Sequence, residues 1–374
     1  MQIEELSTPQ PPDTNQLELV KLDSDNSTSS EVEIKSETEN VEKIESKNLN
    51  TPIKKRLKLM KDKQSYMYVG IAGKGAFGVV FKAIDKNDGS KIYAIKRLSL
   101  DPTCPNREVD ITSSLNHPNC IKIIKHFIDN EVTSNSSTIN LVMDYYPYTL
   151  CNMIEFISKN PVNKLIAIKT YSWQLCEAIR YLHSKAICHR DIKPHNILID
   201  HDFSRLILSD FGSAKVIHDT QKKSSSYVCS RFYRAPELIL GEEKYGLKTD
   251  MWSVGCVIAE MFIGHPIFRG KNSKDQMKRI MQVLGSPSDE DLLSLPLNAQ
   301  INRPKIKGSG LENELPLCDP KLFDLISRLL VLDPNKRLSS SDVLQHDFFM
   351  SNKSCFESHE STFTPNLIDE LRFY

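Results

Sequence analysis

Four side chains on two short stretches of this chain have the types and spacing needed to move a phosphoryl group. The run His189-Arg190-Asp191-Ile192-Lys193-Pro194-His195-Asn196 is followed, fourteen residues after Asn196, by Asp210-Phe211-Gly212. Asp191 is the candidate base that orients a substrate hydroxyl and accepts its proton, a contribution typically worth about 10²- to 10⁴-fold in rate. Lys193 is placed to neutralise charge on the transferred phosphate. Asn196 and Asp210 supply the hard oxygen ligands that magnesium prefers. Transfer from ATP asks for this set, and either tripeptide alone would be weak evidence.

A second constellation lies upstream. Gly73-Lys74-Gly75-Ala76-Phe77-Gly78-Val79-Val80 has the spacing G-x-G-x-x-G-x-V. Dinucleotide-binding sites share these glycines, but there the motif opens a helix. Here β-branched and aromatic residues follow, which predicts a hairpin laid over phosphates, with backbone N–H groups approaching the triphosphate. The ATP-contacting stretch is expected to run from Ala72 to Val80. Tyr93-Ala94-Ile95-Lys96 then puts a lysine on the next strand, 18 residues after Gly78. Lys96 is expected to contact the α- and β-phosphates and to need an acidic partner, for which Glu108 is the natural choice.

These residues must be held by a β-rich part and a helical part. Tyr66 to Lys96 reads as strands, with Asp88-Gly89 marking a tight hairpin into 91–97. Asn106 to Leu115 is a short helix candidate, and 121–127 and 139–144 add two strands. Beyond Tyr148 the pattern turns helical: Leu165, Ile168, Tyr171, Leu175, Ile179 and Leu182 recur at intervals of three and four. Further helices are expected over 248–263, 273–284, 320–330 and 340–345. The last two flank the helix-breaking pair Asp333-Pro334. The fold class is therefore α+β and bilobal: a small β-rich N-lobe with one helix (61–145) and a larger helical C-lobe (146–350). The junction near Asp144 to Pro147 implies a ligand cleft. Ala235-Pro236-Glu237 closes the segment after Asp210, and Glu237 is expected to form a buried structural pair with Arg337. Asp250 is expected to brace the loop that carries Asp191.

Composition is uneven along the 374 residues, although 48 Lys and Arg balance 48 Asp and Glu overall. Residues 1–50 hold twelve acidic and four basic side chains, so the remainder is net basic. Poor in aromatics and rich in Ser, Thr, Asn and Glu, residues 1–60 read as a disordered acidic tail with a basic linker. The cluster Lys54-Lys55-Arg56-Leu57-Lys58 suits nuclear import, phosphate attraction or plain solvation equally. Residues 351–374 read as a C-terminal extension. No basic start leads into an apolar stretch, and no run of about 18 apolar residues occurs. Nine cysteines, with no C-x-x-C pair, argue for a reducing compartment, cytoplasmic and/or nuclear, and against a zinc site.

Taken together, these motifs resemble those of eukaryotic protein kinases. A closer resemblance is carried by Asn106-Arg107-Glu108, Cys188 before His189-Arg190-Asp191, Asp210-Phe211-Gly212-Ser213-Ala214-Lys215 and, most specifically, Ser226-Tyr227-Val228-Cys229-Ser230-Arg231-Phe232-Tyr233-Arg234-Ala235-Pro236-Glu237. Over about residues 65–350 the chain resembles the glycogen synthase kinase-3 (shaggy-like) family. That resemblance implies a serine/threonine kinase using ATP and Mg2+ on protein substrates, with no nucleic-acid or membrane partner. It also implies that Arg107, Arg190 and Lys215 converge to hold a phosphate already present on the substrate, four residues C-terminal to the target. Three cations together repel and need an anion; an internal carboxylate cluster or a phosphate on the chain's own loop are the other solutions. No threonine close to Tyr227 offers itself for the latter. Tyr227 resembles the family's activating phosphotyrosine, with Arg231 and Arg234 near in sequence; a buried, unmodified tyrosine is the alternative. Met143 would back the nucleotide pocket, Asp144, Tyr145 and Tyr146 would present backbone groups to adenine, and Leu198 would form its floor.

The chain also departs from that family. His195 stands where glutamine is expected, so peptide positioning should differ. The tail lacks R-x-R-x-x-S, which leaves inhibition through a phosphorylated N-terminal serine without support. Residues 286–318 depart from the region expected to bind scaffold proteins. A catalytically silent scaffold of the same fold is the alternative function, but such proteins usually lack the base, the lysine or the metal-binding aspartate. All three stand here. Neither a T-x-Y loop nor a cyclin-type signature near Glu108 is found.

Overall fold

A computed structural model describes residues 65–75, 78–100, 106–130, 137–161, 163–217, 224–296 and 305–350. The expected tail, its basic cluster, Ala76, Phe77 and the 351–374 extension fall outside the described residues.

The glycine motif forms a hairpin, as the β-branched residues after it require. Strand β1 (Tyr66–Gly75) pairs antiparallel with β2 (Gly78–Asp85), and Gly75 faces Gly78 across the turn. Gly78 has φ +139°, and a Cβ there would lie 2.2 Å from the Arg97 carbonyl oxygen, so only glycine fits. β3 (Ile92–Leu100) follows, and a helix, α1 (Arg107–Ser113), leads to β4 (Ile123–Asn130) and β5 (Ser137–Asp144). The sheet order is β1-β2-β3-β5-β4, antiparallel throughout. Alternation along β3 divides its side chains between two faces. Tyr93 and Ile95 pack with Tyr66, Ala83, Phe127 and Val142 on one side. Ala94, Lys96 and Leu98 fall on the other, with Ala94 opposite Met143 and Lys96 opposite Leu141.

After a short strand, β6 (Tyr148–Thr149), the chain becomes helical. α2 (Leu150–Lys159), capped by Thr149, is a helix the sequence reading did not anticipate, although Leu150, Met153, Ile154 and Ile157 bury one stripe. α3 (Lys164–Ser184) carries the expected apolar face, with Ile168, Tyr171, Leu175, Ile179 and Leu182 buried. Leu165, assigned to that stripe, is 37% exposed, because it lies in the first turn before the helix is covered. Strands β7 (Ile187–Cys188), β8 (Ile197–Ile199), β9 (Leu206–Leu208) and β10 (Lys215–Val216) frame the catalytic-type loops, with β8–β9 as the hairpin between them.

The remaining helices are α4 (Pro236–Ile239), α5 (Lys248–Ile263), α6 (Ser273–Leu284), α7 (Leu311–Glu314), α8 (Pro320–Leu329) and α9 (Asp347–Met350). Asn272 and Asp319 cap the starts of α6 and α8 by accepting backbone N–H bonds. The helix expected over 340–345 is only a single 3-10 turn, Val343–Gln345. α5 is enclosed, and Gly255 lets α8 approach: a Cβ would sit 2.9 Å from both Leu329 and Leu330. One apolar cluster runs from Ile111 and Met143 of the N-lobe through the helical core, so the lobes share packed side chains at their junction. Among the described residues no helix is long and apolar enough to cross a membrane.

Glu237 and Arg337 form the expected buried pair. The two guanidinium nitrogens reach the two carboxylate oxygens at 2.9 and 3.0 Å, and Arg337 also donates to the carbonyls of Val331 and Lys248. Removing one partner leaves an uncompensated buried charge, at a cost of about 3–5 kcal/mol. Arg337→Met should therefore lose stability in that range in urea unfolding, whereas adding Glu237→Leu to it should recover part of the loss.

Candidate active site

Lys96 lies between two carboxylates. Its ammonium is 2.5 Å from Glu108 Oε1 on α1 and 2.7 Å from Asp210 Oδ1 on the loop after β9. Burial works against the ammonium, but the two carboxylates outweigh it and hold its pKa above the ordinary lysine value. Glu108 is pushed upward, first by burial and then by Asp210, with Lys96 only partly compensating. The trio thus carries one negative charge more than its lysine can balance. Asp210 has a left-handed backbone (φ 62°, ψ 75°), while Phe211 is buried with its ring edge-on to His189.

Asp191 is held from four directions. Its Oδ2 accepts from Lys193 Nζ at 2.7 Å and from Asn196 Nδ2 at 2.9 Å. Its Oδ1 accepts from both the N–H and the hydroxyl of Ser230, each at 2.9 Å. Burial would raise its pKa, but Lys193, Ser230 and His189 reverse this and hold the carboxyl below the usual range. Lys193 donates also to the Ser230 hydroxyl, at 2.9 Å. Asn196 spends its amide N–H groups on the carbonyl and carboxylate of Asp191, which leaves its side-chain oxygen as a ligand. That oxygen and the Asp210 carboxylate are suitable donors for a divalent cation that takes its other ligands from phosphate and water. Among the described residues no cluster of three or more His, Cys, Asp or Glu could hold a metal ion.

Asp250 braces this loop, as expected. It accepts from the backbone N–H groups of His189 and Arg190 at 2.8 and 2.9 Å and from His183 Nε2 at 3.0 Å. Burial alone would raise its pKa, yet these donors hold it low. His189 donates Nε2–H to the Ser209 carbonyl, tying the loop to the strand before Asp210.

At the pocket wall, Ala94, Met143 and Leu198 belong to one apolar cluster. Asp144 ends β5, and Lys82 lies 4.7 Å over the Tyr145 ring at the junction. In the glycine hairpin, Ala72 is the bulged residue, skipped between the Ile71–Phe81 and Gly73–Val80 pairs, while Val80 lies opposite Lys96. Arg107, Arg190 and Lys215 converge. The Lys215 pKa is lowered by burial, then by the charges of Arg190 and Arg107, and no carboxylate enters that balance. Arg190 uses Nε on the Ser213 carbonyl and Nη1 on the Tyr245 hydroxyl, leaving the cation without an acidic partner among the described residues.

Other expectations need correction. Tyr227 is 78% exposed, which excludes the buried-tyrosine alternative. Arg234 lies 4.6 Å over its ring, but Arg231 is turned to the carbonyls of Gly270 and Lys271. His195, the residue that departs from glutamine, faces Cys151 Sγ at 3.4 Å from its Nε2. Ser230 was missed as a site residue. The signal available was a hydroxyl residue inside the run from Tyr227 to Glu237, but spacing alone does not reveal that it folds back onto Asp191.

Residues 66–349 match the family described as protein kinase domain. The chain is 42% identical over 287 residues to the "Probable serine/threonine-protein kinase glkA" of Dictyostelium discoideum, covering 76% of itself and 58% of that protein. It is 38% identical over 286 residues to "Glycogen synthase kinase 1" of Pyricularia oryzae, covering 76% and 72%. It is 36% identical over 329 residues to "Glycogen synthase kinase 3" of Trypanosoma brucei brucei, covering 83% and 93%. The chain belongs to the glycogen synthase kinase-3-like protein kinases.

In this serine/threonine kinase, Ser230 joins the activation segment to the loop of Asp191. Ser230→Ala removes a donor to Asp191 and the second contact of Lys193. Small displacements of a catalytic group can cost about 10²-fold. The variant should lose roughly 10- to 100-fold in kcat with little change in the nucleotide KM, in a steady-state peptide phosphorylation assay.

Proposed function

We propose that this kinase transfers the γ-phosphate of ATP, with magnesium, to Ser or Thr of proteins that already carry a phosphate four residues C-terminal to the acceptor. The observation that carries the priming step is that the charges of Arg190 and Arg107 act on Lys215 while Arg190 spends its guanidinium on a carbonyl and a hydroxyl. Guanidinium forks suit phosphate, and three mutually repelling cations are relieved by a dianion.

The chemistry follows from the positions of the side chains. Backbone N–H groups of the glycine hairpin cover the phosphates, and Lys96 meets the α- and β-phosphate oxygens. Asn196 Oδ1 and the Asp210 carboxylate would hold magnesium, whose charge when bound neutralises the β- and γ-phosphate oxygens. Asp191, kept ionised by its donors, accepts a hydrogen bond from the acceptor hydroxyl and aims its oxygen at the γ-phosphorus. Its depressed pKa makes it a weak base, so its larger part is orientation, with the proton taken as the P–O bond forms. Lys193 lies 2.7 Å from that carboxylate and meets the charge that gathers on the transferred group. Phe211, Met143 and the Ala94–Leu198 pair exclude water from the base of the cleft.

Two measurements test this reading. Asp191→Asn should reduce kcat by about 10²- to 10⁴-fold while ATP affinity, read by calorimetry, stays close to that of the unaltered protein. For a peptide S-x-x-x-phosphoserine, Arg107→Ala should lower kcat/KM by about 10- to 100-fold, the scale of one or two charge-assisted hydrogen bonds. Turnover of the unphosphorylated peptide should change far less. Equal use of both peptides by the unaltered kinase would remove the priming step and leave the transfer chemistry standing.

A further inference from the structure

The three-cation pocket already contains a hydroxyl from its own chain. Ser224 Oγ lies 2.6 Å from Lys215 Nζ. No threonine lies beside Tyr227, but this serine places a hydroxyl on one of the three cations. Its backbone is fixed there, because Ser224 N–H donates to the Glu243 carbonyl at 2.7 Å. The next residue is anchored as well. The Ser225 carbonyl accepts from the Tyr245 hydroxyl at 2.8 Å, and that hydroxyl accepts from Arg190 Nη1 at 2.9 Å. Ser224 is only half-buried, so its hydroxyl remains reachable. Ser225 is exposed, and Ser224 is the serine whose hydroxyl meets Lys215.

We infer that Ser224 is a phosphorylation site whose phosphate fills the Arg107–Arg190–Lys215 pocket in cis and shuts it to primed substrates. This rests on the primed-substrate reading and adds a regulator to it. ATP is the donor: the bond from its γ-phosphorus to the bridging oxygen breaks and the Ser224 Oγ–P bond forms. The hydroxyl proton passes to the base of the phosphorylating kinase, and ADP leaves. The product carries about −1.5 to −2 charges on three acceptor oxygens, which offsets more than half of the three positive charges without any substrate. Loop order through new arginine–phosphate pairs is an established way of setting kinase loops.

The test uses the full chain with phosphoserine installed at position 224. Its release by a nonspecific phosphatase should be at least about 10-fold faster from the Arg107→Ala protein, because a seated phosphate is protected by its charge-assisted bonds. Equal release rates overturn the inference, whatever the outcome for priming. In peptide assays the kcat/KM advantage of the primed over the unprimed peptide should fall to about one on modification, through the KM of the primed peptide. An unchanged advantage also overturns the inference. No advantage in the unmodified kinase would instead refute the priming reading, and the phosphatase comparison would still judge the pocket. Phosphopeptide mapping of the protein from its own cells should find phosphate on Ser224; its absence there overturns the assignment as a modification site.

Discussion

A single ammonium group joins the parts of this molecule that must act together. Lys96 comes from β3, Glu108 from α1 and Asp210 from a C-lobe loop, and all three meet within 2.7 Å. Taking these charges out of water is costly, and their attraction repays it only where the geometry is good and further partners exist. Here two carboxylates share one cation, so the balance is incomplete in the free protein. A divalent cation at Asp210 would relieve the excess there, and phosphate oxygens would then share Lys96 with Glu108.

The opposite wall is kept rigid by different means. Arg190 holds a left-handed backbone (φ 65°), a conformation that costs a non-glycine residue energy and survives only when its surroundings enforce it. Asp250 supplies the enforcement by receiving the N–H groups of His189 and Arg190 from inside the buried helix α5. The reward is directional. The turn sends Asp191 and Asn196 toward the cleft and the Arg190 guanidinium toward the activation segment. A carboxylate at position 250 therefore decides where two other functional groups point, though it touches no substrate.

Much of this was legible from residue types and intervals. α5 and α6 have the bounds expected from the sequence, because periodicity acts locally, and Asn272 and Gly285 cap the two ends of α6. Lys96, Glu108, Asp191 and Asp210 could be named in advance, since phosphoryl transfer constrains their types as well as their spacing. α2 escaped notice although its buried stripe is regular, because it starts directly at the lobe junction, where Thr149 serves as both strand end and cap. The turn at 343–345 was read as longer than it is, as an apolar pair beside Gln345 does not by itself distinguish one helical turn from several. Ser230 and the Cys151–His195 contact depend on chain segments separated by 37 and 44 residues, and nothing local encodes such meetings.

The anion pocket and the nucleotide clamp are adjacent because their residues are adjacent. Arg107 and Glu108 are the first two residues of a seven-residue helix. Arg107 faces the cations of the catalytic loop and β10, while Glu108 faces Lys96. The like charges of Arg107, Arg190 and Lys215 repel, and that repulsion acts on the helix that presents Glu108. On the primed-substrate proposal, a phosphate held by the three cations would turn that repulsion into attraction and draw α1 toward the C-lobe. With the helix so short, and Ile111 and Leu115 held in the shared apolar cluster, these two neighbouring residues cannot move independently. A phosphate at Arg107 would thus bear on the alignment of Lys96 through the peptide bond between Arg107 and Glu108, and no longer chain of contacts is needed to carry such an effect.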